Sequence, residues 1–122
     1  MGTYTNETGL VKAIVRAVKK KYPVAWIMKV HGGPMQMAGI PDLLICVGGL
    51  LIGAEAKHQK PGESAEHARG RATPLQRNMI HLINTAGGMA GVVLSPEETL
   101  DLIARGLEKR GFARTDEGEQ TA

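Results

Sequence analysis

The feature that most constrains the folding of this chain is a pair of glycines, Gly48-Gly49, between two apolar segments. Residues 42–47 and 50–57 are rich in residues that favour strands. Two adjacent glycines readily adopt the positive φ angles that a two-residue hairpin turn needs. Pro41 stands where the first strand opens, a position at which its missing N–H is tolerated. We therefore predict an antiparallel hairpin.

The segments on either side of the hairpin have their own patterns. Apolar residues at helical spacing predict a helix over 5–22, which Pro23 ends. Residues 24–31 are apolar and β-branched and predict a strand. The segment 58–72 has two glycines, a proline and no apolar periodicity, so we expect a mobile loop.

The second half of the chain predicts a helix, a strand and a helix. Thr73 and Gln76 form a capping box, with Pro74 at the first helical position, so a helix begins there. A strand over 89–94 and a helix over 95–110 follow. The residues expected to face the core from these two helices are Leu75, Met79, Leu82, Ala86, Leu100, Ile103, Ala104 and Leu107. The order α-β-β-β-α-β-α predicts one α/β domain over 1–112 with a mixed sheet, followed by a polar tail over 113–122.

Composition excludes several classes of protein. The chain has 122 residues and 43% hydrophobic content, typical of a globular protein. Its single cysteine, Cys46, rules out an internal disulfide and is expected to be a buried thiol. No signal peptide or membrane span is visible, so a cytoplasmic protein is expected. The net charge of +3 is compatible with a polyanionic partner, and the aromatic content of 3% disfavours a base-stacking platform.

Three residues suggest chemistry at the open end of the hairpin. Asp42 begins the first strand, and Glu55 and Lys57 project from one face of the second. Two neighbouring carboxylates repel each other unless a cation lies between them, and oxygen ligands suit Mg²⁺ or Mn²⁺. Such an ion polarises a phosphate, and Lys57 would orient or deprotonate the attacking water. The alternative is a surface ion pair beside a strand-opening aspartate.

These segments carry a resemblance to a known family. Residues 39–45 and 53–57 resemble the Pro-Asp … Asp/Glu-x-Lys signature of the VRR-NUC domain, a member of the PD-(D/E)XK nuclease superfamily. The resemblance covers 7–94 and is similar to stand-alone members from phages and bacteria. It implies a restriction-endonuclease-like core with a mixed central sheet flanked by helices. It also implies a homodimeric, metal-dependent DNA endonuclease acting on branched DNA such as four-way (Holliday) junctions.

The resemblance implies further site residues, each with an alternative. The backbone carbonyl of Ala56 would be a third metal ligand. Glu7 would approach the metal, or would only complement the dipole of its helix. Gln76 would face the site, or would only complete the capping box.

Candidate DNA contacts follow the hairpin in the chain. Lys60, Arg69 and Arg71 could bind phosphates, and His58 could touch substrate, although a solvated histidine is the alternative. The basic residues of the first helix could line DNA or form a solvated face. The histidines show no zinc spacing.

Two other classes of function compete with the nuclease. One is a non-catalytic DNA-binding module with a nuclease fold, against which the intact Asp42, Glu55 and Lys57 argue. The other is a structural or assembly protein in which the hairpin is only a scaffold.

Overall fold

The predicted hairpin forms the centre of a four-stranded sheet of order β1-β2-β3-β4. The computed structural model describes residues 4–31 and 37–111. The elements are α1 (Glu7–Lys21), β1 (Trp26–Lys29), β2 (Leu43–Val47), β3 (Leu50–Ala56), α2 (Ala65–Gly70), α3 (Pro74–Thr85), β4 (Met89–Val93) and α4 (Pro96–Lys109). The first three strands are antiparallel and β4 is parallel to β3. The predicted fold class, a mixed α/β sheet flanked by helices, is confirmed.

The turn of the hairpin sets the register that positions the site. Gly48 has φ 57° and Gly49 has φ 80°, as a type I′ turn requires. Val47 is paired with Leu50, and Leu43 is paired with Ala54. The same register places Asp42 opposite Glu55, one step beyond the last pair.

The core lies on the face of the sheet that α1 and α4 cover. Alternate residues of β2 and β3 are fully buried there, as are three residues on one stripe of α1: Leu43, Ile45, Ile52, Leu10, Ile14 and Val18. Asn6 caps α1 by accepting a hydrogen bond from the backbone N–H of Gly9 at 2.9 Å. A Cβ on Gly106 would lie 2.8 Å from Leu50, so this glycine lets α4 pack closely on the sheet.

Helix α3 packs on the opposite face and is rotated from its predicted orientation. Leu75 and Leu82 are 58% and 49% exposed, and Ala86 is also exposed. Of the four residues predicted to face the core, only Met79 is partly buried. The inward stripe is instead Gln76, Met79, Ile80 and Ile83, all partly buried. The periodicity was correct, but the polar Gln76 lies on the inward side because it reaches the site.

Other expectations also need correction. The segment 58–72 contains a six-residue helix, α2, which Ser64 caps by accepting from the backbone N–H of His67. It is too short to show apolar periodicity. In α4 the buried residues are Thr99, Leu102, Ile103 and Gly106, whereas Ala104 is exposed. Cys46 is only partly buried, because it faces the side of the sheet away from α1.

The predicted strand over 24–31 is shorter in the structure, where it covers Trp26–Lys29. The predicted tail 113–122 lies outside the described residues. Within the residues described, the helices are too short or too polar to cross a bilayer.

Candidate active site

The open end of the hairpin brings two carboxyl groups together. Asp42 Oδ2 accepts a hydrogen bond of 2.9 Å from the backbone N–H of Ala56. Glu55 lies across from Asp42 on β3 and is only 1% exposed. The sequence prediction that Asp42 and Glu55 are cross-strand neighbours is therefore met in the structure.

Glu55 is held on one oxygen and open on the other. Its Oε2 accepts from Gln76 Nε2 at 2.9 Å and lies 3.4 Å from Lys57 Nζ. Its Oε1 is buried and has no hydrogen-bond partner among the described residues. A buried carboxylate oxygen without a donor is costly unless a cation or a proton satisfies it.

Burial shapes the titration of both acids. Desolvation, with the neighbouring Asp42 carboxylate, raises the pKa of Glu55 from its ordinary 4.5 to about 7, against the attraction of Lys57. Desolvation also raises the pKa of Asp42, while the hydrogen bond from Ala56 opposes the rise. Raised pKa values on two adjacent acids mean that the pair holds its negative charge at a free-energy cost, which a bound cation would relieve.

Gln76 performs both of the functions that the sequence left open. Its Oε1 accepts from the backbone N–H of Thr73 at 2.9 Å, completing the capping box. Its Nε2 donates to Glu55, so the start of α3 is tied directly to the acidic pair. An amide is suited to this double contact because it carries a donor and an acceptor on one group.

The donor set fits a hard divalent cation. The unpartnered Oε1 of Glu55 and the adjacent Asp42 offer oxygen ligands of the kind that Mg²⁺ and Mn²⁺ prefer. In a strand, the N–H and C=O of one residue point to the same side, so the carbonyl of Ala56 faces Asp42 as its N–H does. Across residues 4–31 and 37–111, however, no cluster of three or more His, Cys, Asp or Glu side chains could hold a metal. A metal here would thus rest on two carboxylates and the backbone.

Glu7 lies beside the acidic pair rather than within it. Its Oε2 accepts from the backbone N–H of His58 at 3.1 Å and from Arg71 Nη1 at 3.3 Å. Glu7 and Asp42 line one cavity of about 240 Å³ at the end of the hairpin. The side chain therefore does more than complement the helix dipole, since it connects α1 to the chain that leaves β3.

Among the residues predicted to contact DNA, the side chains of Arg69, Arg71 and His58 have partners within the described part of the chain. Arg69 donates to Glu98 at 2.7 Å and to the carbonyl of Val92. His58 Nε2 lies 3.1 Å from the carbonyl of Tyr4. The side chain of Lys60 is exposed, and a DNA contact through it stays a prediction.

Sequence reasoning missed three residues near the site. Lys29 and His31 line the cavity with Glu7 and Asp42. Their position follows from the pairing of Lys29 with Leu43, which no local pattern in the sequence reveals. The third residue, Glu63, accepts a hydrogen bond from Arg71.

Comparison with known proteins shows which known fold this architecture resembles. No family model matches the chain, and no curated protein matches it. A solved structure described as a VRR_NUC domain shares 19% sequence identity with the chain, over 75% of this chain and 90% of that one, with a TM-score of 0.51. This chain has the VRR-NUC fold. The likeness is one of fold, and the register of this chain's own strands places the acidic pair at the open end of the central hairpin.

Proposed function

We propose that this protein is a metal-dependent DNA endonuclease that hydrolyses phosphodiester bonds, selective for branched DNA such as four-way junctions. The observation that supports this most directly is the buried pair of Asp42 and Glu55, with a carboxylate oxygen that lacks a donor and Lys57 beside it. The VRR-NUC fold, read from the structural comparison, supports a nuclease over an unrelated α/β protein.

Each residue of the site has a role in this proposal. Asp42, Glu55 and the carbonyl of Ala56 would hold Mg²⁺ or Mn²⁺. When bound, the ion supplies a Lewis acid for the scissile phosphate. The side chain of Lys57 is 12% exposed and lies close to Glu55, where it would orient the attacking water or take its proton. Gln76 keeps Glu55 in one orientation, as a hydrogen-bonded neighbour of a metal ligand commonly does.

A homodimer would supply two such sites for a symmetric junction. An apolar surface is available for it. Trp26 and Met28 are 56% and 41% exposed on β1, and Leu51 on β3 is 41% exposed. Trp26 and Leu51 are each paired with Cys46, so they lie in one row across the sheet. Leu51 and Leu82 also line one groove, and exposed apolar surface of this kind is typical of protein–protein contacts.

One observation favours the alternative of a DNA-binding module that does not cut. Within the described part of the chain no third acidic, histidine or cysteine side chain joins Asp42 and Glu55 as a metal ligand. A module of this kind would bind DNA equally well with and without a divalent ion, through phosphate contacts that weaken with salt.

Cleavage of labelled duplex, single-stranded, flap and four-way-junction DNA tests the proposal, in Mg²⁺, in Mn²⁺ and in EDTA. We expect metal-dependent cutting with the junction preferred. We expect Asp42→Asn to abolish it and Lys57→Ala to slow it by about 10²–10⁴-fold, the range for a group that assists proton transfer.

The matched control is Asp101→Asn, which removes an exposed carboxylate that pairs with Arg105 on α4. It should cut at the wild-type rate. Cutting that survives Asp42→Asn, or binding of DNA without any cutting by the wild type, would contradict the catalytic assignment. The second result would favour the binding module.

A further inference from the structure

Arg71 lies at the centre of a hydrogen-bonded cluster that joins three segments beside the acidic pair. Its Nη1 donates to Glu7 Oε2 at 3.3 Å, and its Nε donates to Glu63 Oε2 at 3.0 Å. Its Nη2 donates to the backbone carbonyl of His58. The side chain is 28% exposed, so much of its surface is covered by these partners. One guanidinium thus connects α1, the segment leaving β3 and the loop before α2.

Glu63 fixes Arg71 in this position. Its Oε1 accepts from the backbone N–H of Lys60 at 2.8 Å and from Arg71 Nη2 at 3.2 Å. Its Oε2 also lies 2.7 Å from His67 Nδ1, and the side chain is only 8% exposed. Two nitrogens of one guanidinium on one carboxylate form a fork that resists rotation of the arginine.

The cluster restricts Glu7 in a way that bears on the site. The N–H of His58 and Nη1 of Arg71 both bind Oε2 of Glu7. Oε1 is not used by either donor, and Glu7 lines the cavity that it shares with Asp42. His58 directly follows Lys57, so the same contacts also fix the backbone next to the lysine.

We propose that Arg71 is a positioning residue of this site: held by Glu63, it orients the carboxylate of Glu7 toward Asp42 and fixes the chain that follows Lys57. The inference rests on the proposed nuclease function and assigns Arg71 a part in metal binding rather than in DNA contact. Its donors already serve two carboxylates and a carbonyl, which leaves little capacity for a phosphate.

A double-mutant cycle on metal affinity tests the link between Arg71 and Glu7. Binding of Mn²⁺ alone is measured by calorimetry for the wild type, Arg71→Ala, Glu7→Ala and the double variant. We expect Arg71→Ala to weaken Mn²⁺ binding about tenfold or more, as loss of a partner behind a metal site does. In the Glu7→Ala background the same change should have little effect, because the carboxylate that Arg71 orients is gone.

Two further variants separate positioning from a general loss of folding. Arg71→Lys keeps the charge but not the fork, so it should weaken Mn²⁺ binding as Arg71→Ala does. Glu63→Gln should give a smaller loss in the same direction. The matched control is Arg105→Ala on α4, whose partner Asp101 lies one turn earlier on the same helix. It should leave Mn²⁺ affinity unchanged.

DNA affinity in EDTA tests the opposing role. If Arg71 bound a phosphate, Arg71→Ala would lower the slope of log affinity against log salt by about 1. We expect no change in that slope. A lowered slope together with additive effects of Arg71→Ala and Glu7→Ala on Mn²⁺ affinity would overturn the inference alone, provided that the wild type binds Mn²⁺ and cuts DNA. A wild type that binds no Mn²⁺ would overturn the proposed function and this inference with it.

Discussion

At the scale of single residues, the site is organised around one buried carboxyl group. Glu55 is 1% exposed, shares its Oε2 between Gln76 and Lys57, and leaves Oε1 without a partner. This arrangement does not favour stability, because an apolar side chain at position 55 would be buried at a lower free-energy cost than the carboxyl group of Glu55. A buried carboxyl group held at such a free-energy cost beside a second acid is typical of a functional site.

The raised pKa of Glu55 predicts how the free energy of unfolding of the metal-free protein depends on pH. Its pKa is about 7 in the folded chain and 4.5 in the unfolded chain, so the folded state binds more protons between these values. The free energy of unfolding should fall as pH rises through this window. Glu55→Gln removes the titrating group, and at pH 8 it should be more stable than the wild type by on the order of 1 kcal/mol.

The measurement is urea denaturation in EDTA at pH 5 and at pH 8. The advantage of Glu55→Gln should be larger at pH 8, and Glu108→Gln, an exposed position on α4, should show no such difference. An effect of Glu55→Gln that is equal at both pH values would contradict the assignment.

At the scale of elements, α3 combines a structural role with a role in the site. Its start is closed by reciprocal hydrogen bonds between Thr73 and Gln76, and Gln76 extends from there to Glu55. The side chain of Gln76, which completes the capping box, therefore also contacts the acidic pair. Leu75 and Leu82 point away from the core because Gln76 and Ile83 face the sheet instead.

Two substitutions separate these roles of α3. Thr73→Ala removes the capping oxygen and should lower the free energy of unfolding by about 1 kcal/mol. It should leave Mn²⁺ affinity and cleavage near the wild-type values, because Gln76 still reaches Glu55. Gln76→Ala should show a similar loss of stability and, in addition, a fall of about 10–100-fold in Mn²⁺ affinity or activity. Activity is measured at temperatures at which the two variants are equally folded. Equal losses of activity in both variants would then show that Gln76 acts only through the start of α3 and not through Glu55.

At the scale of the whole molecule, side chains close one edge of the sheet, and part of the face on which α3 packs is left exposed. Asn84 bonds both backbone groups of Ala90, at 2.7 and 3.1 Å, and Arg69 donates to the carbonyl of Val92 at 3.1 Å. Side chains thereby occupy backbone groups of β4 that a further strand would otherwise pair with. The exposed apolar side chains Trp26, Leu51 and Leu82 are therefore the better candidate for contact with a second copy.

Leu82→Lys tests the proposed homodimer on this surface. A charge in a buried apolar contact is unfavourable, so the dimer dissociation constant should rise at least about tenfold. Sedimentation velocity over a range of concentrations measures this shift. Ala104→Lys, at an exposed position on α4, which covers the opposite face of the sheet, is the control and should leave the constant unchanged. A wild type that is monomeric at every concentration, or a dimer indifferent to Leu82→Lys, would contradict the interface.

Local patterns were sufficient to predict the elements of the described residues other than α2. The glycine pair determines the turn and, through it, the placement of Asp42 opposite Glu55. The capping residues Thr73 and Ser95 mark helix starts where the structure has them. Each of these signals acts between residues close in sequence, so it is legible without knowledge of the tertiary structure.

Only the tertiary structure decided which faces and which partners these elements have. The rotation of α3 depends on its contact with β3 and β4, and the pairing of Arg71 with Glu7 joins residues 64 positions apart. In the sequence, Arg71 is one of several basic residues that follow the hairpin, and its charge alone predicted a contact with a DNA phosphate. Its partners come from α1 and from the loop before α2, and their approach is a property of packing. The sequence by itself determined the hairpin and its acidic pair, because those groups lie on two adjacent strands joined by one turn.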